Sequence, residues 1–120
     1  MLQLLQPTTT NTVAVTASGT VTAEDYESVL IPTIEETLKS HDKVRVLFQL
    51  EPDTDFTAGA VWDDTKFGLS HFFAFEKFAL VSDTQWINNT VKVLGFMMPC
   101  PVKLFALSEL DAAREWISAR

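Results

Sequence analysis

The residues able to carry acid–base or metal chemistry are few and widely spaced along the chain. Asp64 and His71 stand seven residues apart, so on one helix they share a side but lie two turns from each other. That spacing is too long for a direct carboxylate–imidazole hydrogen bond and predicts a solvated helix face. Asp63 adds a third possible ligand, but further ligands are not evident, so no metal site and no cofactor are predicted.

The remaining imidazole and thiol also favour structural roles. His41 precedes Asp42 at an expected helix end, where a cation suits the negative end of the helix dipole. Cys100 stands between Pro99 and Pro101 without a histidine near it in the sequence, and we expect an inert thiol. The 4 glycines form no phosphate-binding loop, and no nucleophile-elbow motif occurs. The sequence therefore predicts a protein that is not an enzyme.

Length, charge and cysteine content bound the class of protein. A chain of 120 residues with 47% hydrophobic residues fits one globular domain over residues 1–120. Nine basic residues against 16 acidic ones give a net charge of −7, which opposes nucleic-acid binding because that affinity depends on cations. The chain starts without a basic, apolar leader, and no stretch approaches the roughly 20 apolar residues that span a bilayer. A cytoplasmic protein is expected.

Strand and helix patterns alternate along the chain. A short apolar start and the alternating segment Val13–Ala17 predict a hairpin, and the later strands are separated by helices. Such crossovers are right-handed and give parallel pairing. We predict a small single-domain α/β sandwich with four helices and a five-stranded, mixed, mostly parallel sheet whose first strand is antiparallel. The predicted strands are residues 1–6, 13–17, 43–50, 75–81 and 102–107, and the second helix covers 58–73.

Local signals mark the helix ends. The first helix should begin with a capping box at Thr22–Asp25 and kink at Pro32, which lacks an N–H. Ser82–Thr84 offers N-caps for the third helix, in which Trp86 is predicted to face inward. Ser108–Asp111 has the form of another capping box and should open the fourth helix. The segment Glu51–Asp55, rich in turn residues, is expected to be a loop.

Three segments carry a resemblance to a known family. The run from Trp62 to Gly68 (WDDTKFG) lies within Ala60–Leu69, and Ala79–Trp86 and Val102–Ser108 follow it in matching order. The chain resembles the STAS domain of bacterial anti-sigma-factor antagonists, and more closely the SpoIIAA-like family of small bacterial proteins. The resemblance implies the α/β sandwich predicted above. It also implies a topology similar to that of the lipid-carrying CRAL-TRIO lobe.

The antagonists carry a phosphorylated serine in an Asp-Ser-Ser-Gly motif before the second helix. The matching stretch here is Phe56–Gly59, where Thr57 occupies the acceptor place and the glycine is retained. The acid is replaced by Phe56 and the second serine by Ala58. The resemblance thus implies Thr57 as the phosphorylation site of a protein-interaction switch, while an ordinary N-cap is the alternative role of its hydroxyl.

The second helix carries an aromatic residue on its polar side. At 100° per residue Phe67 falls beside charged residues rather than on the apolar face, and Phe96 likewise falls off the apolar face of the third helix. Gly59, Gly68 and Gly95 weaken these two helices and favour a mobile second helix. The expected apolar patch could bind a ligand, or a loop could cover it.

These observations predict a non-enzymatic binding module for an apolar or amphipathic ligand, such as a lipid, or for a membrane surface. Lys66 and His71 would contact a head group, and any membrane contact would be peripheral and apolar because anionic lipid repels a protein of net charge −7. The alternative is a switch that binds a kinase-like regulatory protein, with Thr57 phosphorylated. A homodimer through the exposed aromatic surface stays open. The predicted contact residues are Trp62, Lys66, Phe67, His71, Phe72, Trp86 and Phe96.

Overall fold

The computed structural model describes residues 1–6, 9–60, 74–95 and 100–119. The strands are β1 (Leu2–Leu4), β2 (Thr12–Ala17), β3 (Thr20–Val21), β4 (Val44–Leu50), β5 (Asp55–Phe56), β6 (Phe75–Val81) and β7 (Val102–Phe105). A five-stranded sheet with the spatial order β1-β2-β4-β6-β7 forms the centre of the structure. β1 and β2 are antiparallel, and every other neighbouring pair in this sheet is parallel, which confirms the predicted mixed sheet.

Four helices follow the strands in the predicted order. The first, α1, is one continuous run of Ala23–Asp25, a π-helical segment Tyr26–Leu30, and Ile31–Ser40. The second, α2, begins at residue 58 and is described as far as residue 60. The third is α3 (Gln85–Gly95), and the fourth is α4 (Leu110–Ser118), which follows a short 3-10 turn, Leu107–Glu109.

The π-helical segment of α1 stands directly before Pro32. There the N–H of Ile31 bonds to the carbonyl of Tyr26, five residues back. Pro32 then falls in the first turn of the regular helix Ile31–Ser40, where a missing N–H costs little. The wider π-helical turn before Pro32 therefore accommodates the proline. A kink inside a regular helix had been predicted at this position.

Helices cover both faces of the sheet, but unequally. The strands of the main sheet follow one another in space as they do along the chain, so right-handed crossovers carry the helices between parallel strands to one face. α4 packs on the other face, where Ala113 and Ile117 meet Ala14, Leu47 and Ala79. The larger core includes Val15, Val46, Phe48 and Leu80 of the sheet and Tyr26, Leu30, Ile34, Ala60 and Ile87 of the helices.

A second, two-stranded sheet was not predicted. The segment expected to be a loop ends in β5, which pairs in parallel with β3. The hydroxyl of Thr54 donates a hydrogen bond to the carbonyl of Ala17 at 2.8 Å, and this bond ties the connection to the end of β2. Gly19 makes the preceding turn with φ of 58°, a conformation that glycine adopts without strain. Two-residue strands carry too little pattern to be read from a sequence.

Two local predictions were wrong. Trp86 does not face inward, because it is 60% exposed in the first turn of α3, while its neighbour Ile87 is buried. The box predicted at Ser108–Asp111 does not form. Instead the carboxylate of Glu109 accepts a hydrogen bond from the N–H of Ala106 at 2.8 Å. The 3-10 turn moves the N-cap of the helix from Ser108 to Glu109, and so changes which groups can meet.

Candidate functional site

All four helices begin at the same edge of the sheet, which we call the carboxyl edge. It consists of the segments that connect a strand end to the next helix start: residues 18–25, 51–60, 82–88 and 106–111. Because β2, β4, β6 and β7 run parallel, these segments are neighbours in space. The opposite edge, where the parallel strands begin and the helices end, is called the amino edge below.

Thr57 is the N-cap of α2. Its hydroxyl accepts a hydrogen bond from the N–H of Ala60 at 3.1 Å, and its own N–H donates to the carbonyl of Val21 at 3.0 Å. The side chain is half-buried. The second bond continues the pairing of β3 with β5, so the small sheet holds Thr57 at the helix start. The capping role considered for this hydroxyl is therefore confirmed.

The starts of α1 and α2 lie against each other. Thr22 and Asp25 form the predicted capping box: the hydroxyl accepts from the N–H of Asp25 at 3.3 Å, and the carboxylate accepts from the N–H of Thr22 at 2.9 Å. The backbone hydrogen bond from Thr22 is the main reason that the pKa of Asp25 is lowered. A methyl group on Gly59 would lie 3.3 Å from Cβ of Ala23, so the two helix starts are in close contact.

α3 begins beside α2, because β4 and β6 are adjacent strands. The side-chain amide of Asn88 donates to the carbonyl of Ser82 at 2.9 Å, and the hydroxyl of Ser82 accepts from the N–H of Thr84 at 3.0 Å. These bonds hold the first turn of α3 in place. Trp86 projects from that turn into solvent. The carboxyl edge therefore presents a large aromatic ring on a firmly held helix start.

The carboxyl edge is strongly acidic. None of its residues is a lysine, arginine or histidine, so no cation belongs to these four segments. Asp25 has an ion pair, at 3.5 Å from the amino group of Met1, and no other of these carboxylates has one within the part of the chain described. The eight acidic residues are Glu24, Asp25, Glu51, Asp53, Asp55, Asp83, Glu109 and Asp111.

The amino edge holds its charges in bonded pairs. Arg45, which is 8% exposed, donates from Nη2 to Oε1 of Glu76 at 3.1 Å, and Asn11 donates to Oε2 of the same carboxylate at 3.1 Å. The bond from Arg45 is the main reason that the pKa of Glu76 is lowered. A shift of register lies here, because Val44 pairs with Phe75 but Arg45 pairs with Lys77. This bulge turns Glu76 toward its two donors.

The same edge holds the end of α4. Arg45 donates from Nη1 to the carbonyls of Ile117 and Ala119 at 2.7 and 2.8 Å, and Lys77 donates to the carbonyls of Trp116, at 2.9 Å, and Ala119. The ammonium also lies 5.1 Å from the centre of the Trp116 ring. Burial lowers the pKa of Lys77, and the charge of Arg45 lowers it further. Cations at a helix C-terminus complement its dipole.

A shallow cleft of about 590 Å³ opens at the amino edge. Cys100 and Phe75 are buried in its floor, and His41 and Asp42 lie at the turn that closes it. Burial raises the pKa of the Cys100 thiol, which keeps the thiol protonated and agrees with the inert role expected. The remaining lining residues are Asn11, Lys43, Glu76 and Pro101.

Sequence reasoning did not bring Cys100 and His41 together. The two residues are far apart along the chain. Each lies one to three residues before a parallel strand, and this position in the strand order could have indicated that both belong to the amino edge. His41 also ends α1 as its C-cap, as predicted. Within the described ranges, no group of three or more His, Cys, Asp or Glu side chains is placed to hold a metal ion.

Most of the predicted contact residues lie outside the described residues. These are Trp62, Lys66, Phe67, His71, Phe72 and Phe96, and with them the predicted mobility of the second helix and the pairing of Asp63 or Asp64 with other groups. Thr57 and Trp86 are described, and both belong to the carboxyl edge. Among the described residues, every helix is too short or too polar to cross a bilayer.

Comparison with known proteins identifies the fold independently. A family model described as SpoIIAA-like matches residues 12–118. No curated protein matches the chain. A crystal structure of an uncharacterized protein of the DUF3478 family from Shewanella loihica PV-4, described as having a SpoIIAA-like fold, superposes with a TM-score of 0.75 over 98% of this chain and 92% of that one. Its sequence identity is 24%, so this likeness shows the fold alone.

Proposed function

The chain belongs to the SpoIIAA-like family, and on that premise we propose that it is a non-enzymatic binding module whose partner is another protein. The partner docks on the carboxyl edge. The observation that carries this proposal is the position of Trp86, 60% exposed in the first turn of α3. A STAS-type fold is compatible with such a role.

A solvated indole is a strong candidate for a contact residue, because tryptophan is enriched among the residues that dominate binding energy. The helix start beneath it is held by the bonds of Ser82 and Asn88, so little conformational freedom is lost when a partner covers the ring. The half-buried Thr57 stands at the neighbouring helix start and would border the same contact. Both residues thus favour one surface.

Site-specific photo-crosslinking in cells tests this proposal. A photoreactive phenylalanine analogue placed at position 86 should give a discrete covalent adduct with a protein. The matched control places the analogue at Leu4, an apolar residue on β1 that is 54% exposed. Adducts of one mass from position 86 and not from position 4 support the proposal. The same mixture from both positions, or no adduct at 86, contradicts it.

Thr57 would regulate this contact if it is phosphorylated. Its hydroxyl lies at a helix N-terminus, where backbone N–H groups and the dipole favour a phosphate, but phosphorylation would also replace the bond to Ala60. Intact-mass analysis of protein from cells should then show an added phosphate that the substitution Thr57→Ala removes. Protein that carries no phosphate at Thr57 in any growth condition excludes this regulation.

An amphipathic ligand or a membrane surface is the second candidate, favoured by the same exposed ring, because tryptophan prefers the membrane–water interface. The contact would involve a mobile second helix and the predicted contact residues Trp62, Lys66, Phe67, His71, Phe72 and Phe96. Flotation with phosphatidylcholine vesicles should recover the protein but not Trp86→Ala. Native mass spectrometry that finds only unliganded protein, with no flotation, contradicts this candidate.

A further inference from the structure

We infer that the partner presents a cationic surface, with an arginine that stacks on Trp86. This inference deepens the proposed function and rests on it. Two independent features of the carboxyl edge carry it: its four segments hold eight acidic residues and no basic one, and an aromatic ring is open to solvent. The surface consists of Trp86 and the exposed carboxylates of the same edge.

Part of the acidity is explained by the helices themselves. Glu24 and Asp111 stand in first turns, where a negative charge complements the helix dipole, and Asp25 belongs to a capping box. Glu109 and Asp83 accept hydrogen bonds from the N–H groups of Ala106 and Leu107. These five carboxylates are therefore compatible with a purely structural role.

Of the other three, Glu51 is half-buried just after the end of β4, whereas Asp53 and Asp55 have no such explanation. Both are exposed, neither stands in a helix, and within the described chain no hydrogen bond or ion pair engages either carboxylate. Like charges gathered on one edge repel each other, so the folded protein bears a cost that a cationic partner would relieve. The carboxylates that no described group engages are thus the ones that favour a partner.

An arginine suits the ring better than a lysine. The planar guanidinium can stack on an indole face and still donate hydrogen bonds to carboxylates, whereas an ammonium acts as a compact point charge. A cation already lies over an indole within the protein, where the ammonium of Lys77 is 5.1 Å from the centre of the Trp116 ring. A ring on the same edge as these carboxylates lets the arginines of one partner make both kinds of interaction.

A second copy of the chain does not fit this surface. The net charge of −7 makes two copies repel each other, and Arg45 and Lys77 already donate to the carbonyls at the end of α4. Charge complementarity therefore favours a different, basic protein.

Binding of a defined peptide tests the inference. The probe is a labelled peptide of glycine and serine with four arginines, followed by fluorescence anisotropy at low and at physiological salt. We expect Asp53→Asn with Asp55→Asn to raise the Kd about tenfold, and Trp86→Leu to raise it by a similar factor. The lysine version of the peptide should bind several-fold more weakly.

The control removes the same amount of charge elsewhere. Glu35 and Glu115 are exposed on α1 and α4, and no described side chain pairs with either. Glu35→Gln with Glu115→Gln should change the Kd by less than about twofold, because distant exposed charges are screened over roughly 10 Å. Equal losses in the two double variants would mean attraction to net charge alone and would overturn the inference.

Failure of the inference is distinguishable from failure of the proposed function. If the wild-type protein does not bind the arginine peptide even at low salt, the cationic partner is excluded. A discrete adduct from position 86 with a protein that has no basic surface would then still support the proposed function. If the peptide binds selectively but position 86 gives no adduct in cells, the surface chemistry stands and the cellular role falls.

Discussion

The two edges of the sheet use charge in opposite ways. At the amino edge, Arg45 and Lys77 are tied to a carboxylate and to the carbonyls that end α4. At the carboxyl edge, the acidic residues outnumber their partners, and Asp53 and Asp55 have none within the described chain. The charges of the amino edge therefore stabilise the fold, and the carboxyl edge leaves charges available to another molecule.

The parallel topology produces part of this difference. It places the C-termini of α1 and α4, with their negative dipole ends, at the amino edge and the N-termini of the four helices at the carboxyl edge. Cations are thus stabilised at one edge and carboxylates at the other. The dipoles act only within the first and last turns, however, so they do not explain the two aspartates between β4 and α2. That excess separates a binding surface from ordinary helix capping.

The largest expected effect is at the amino edge. Arg45→Met should lower the free energy of unfolding by about 3 kcal/mol, because it removes the side-chain donor to the carbonyl of Ile117 and one of the two donors to the carbonyl of Ala119, and it leaves Glu76 without its cation. Urea denaturation measures the change. Lys92→Met, at an exposed position of α3, is the control and should cost less than about 0.5 kcal/mol. Equal losses in stability would show that the bonds from Arg45 to the end of α4 contribute nothing.

A smaller effect follows from the carboxylate of the same pair. Glu76→Gln should cost about 1.5 kcal/mol at pH 7, because a charged hydrogen bond to Arg45 is replaced by a neutral one. The folded-state pKa of Glu76 is below its ordinary value of 4.5, so its stabilisation is complete above that value. It is lost as the pH falls below 4.5 through the lower folded-state pKa.

The difference between wild type and Glu76→Gln should therefore be constant near neutral pH and shrink in acid. Urea titrations between pH 7 and pH 3 follow it. Glu35→Gln, on the exposed face of α1, is the matched control and should leave the pH profile unchanged. A gap between wild type and Glu76→Gln that persists in acid would mean that charge is not what the carboxylate contributes.

At the carboxyl edge, the helix start of α2 gives the next effect. Thr57→Ala removes the acceptor of the Ala60 N–H and should destabilise the protein by about 1 kcal/mol, whereas Thr57→Ser keeps the hydroxyl and should cost little. Thermal unfolding of the two variants makes the comparison. If serine and alanine are equally destabilising, the methyl group rather than the capping bond is what matters at this position.

Regular features of the sequence predicted the scaffold well. The alternation of apolar strands with capped helices gave the sheet and its four helices, and the strand predicted at 75–81 is β6 as observed. The capping box of Thr22 and Asp25 was predictable because both partners are local. A sequence pattern predicts the structure correctly where a strand is buried on both faces, or where a hydrogen bond joins residues only three positions apart.

The site was less predictable, because its geometry depends on non-local contacts. The bulge that aims Glu76 exists only against β4, and the strand pair that places Thr57 joins two-residue segments far apart in the chain. Trp86 and Ile87 were both predicted to face inward along the third helix, but Ile87 is buried and Trp86 is exposed. The acidity of the carboxyl edge could have been read from the sequence by grouping the four segments that follow the strands.

The smallest effect has the opposite sign and tests the comparison most directly. Asp53→Asn with Asp55→Asn removes two charges that repel their neighbours and bond to no described residue, so it should stabilise the protein by about 0.5 kcal/mol at low salt. The gain should vanish near 1 M salt, where the screening length falls to about 3 Å. Glu35→Gln with Glu115→Gln, which removes the same net charge, should give less. Removing charge would then weaken the protein at one edge and strengthen it at the other, whereas a loss of stability in the double aspartate variant would show that these carboxylates belong to the fold after all.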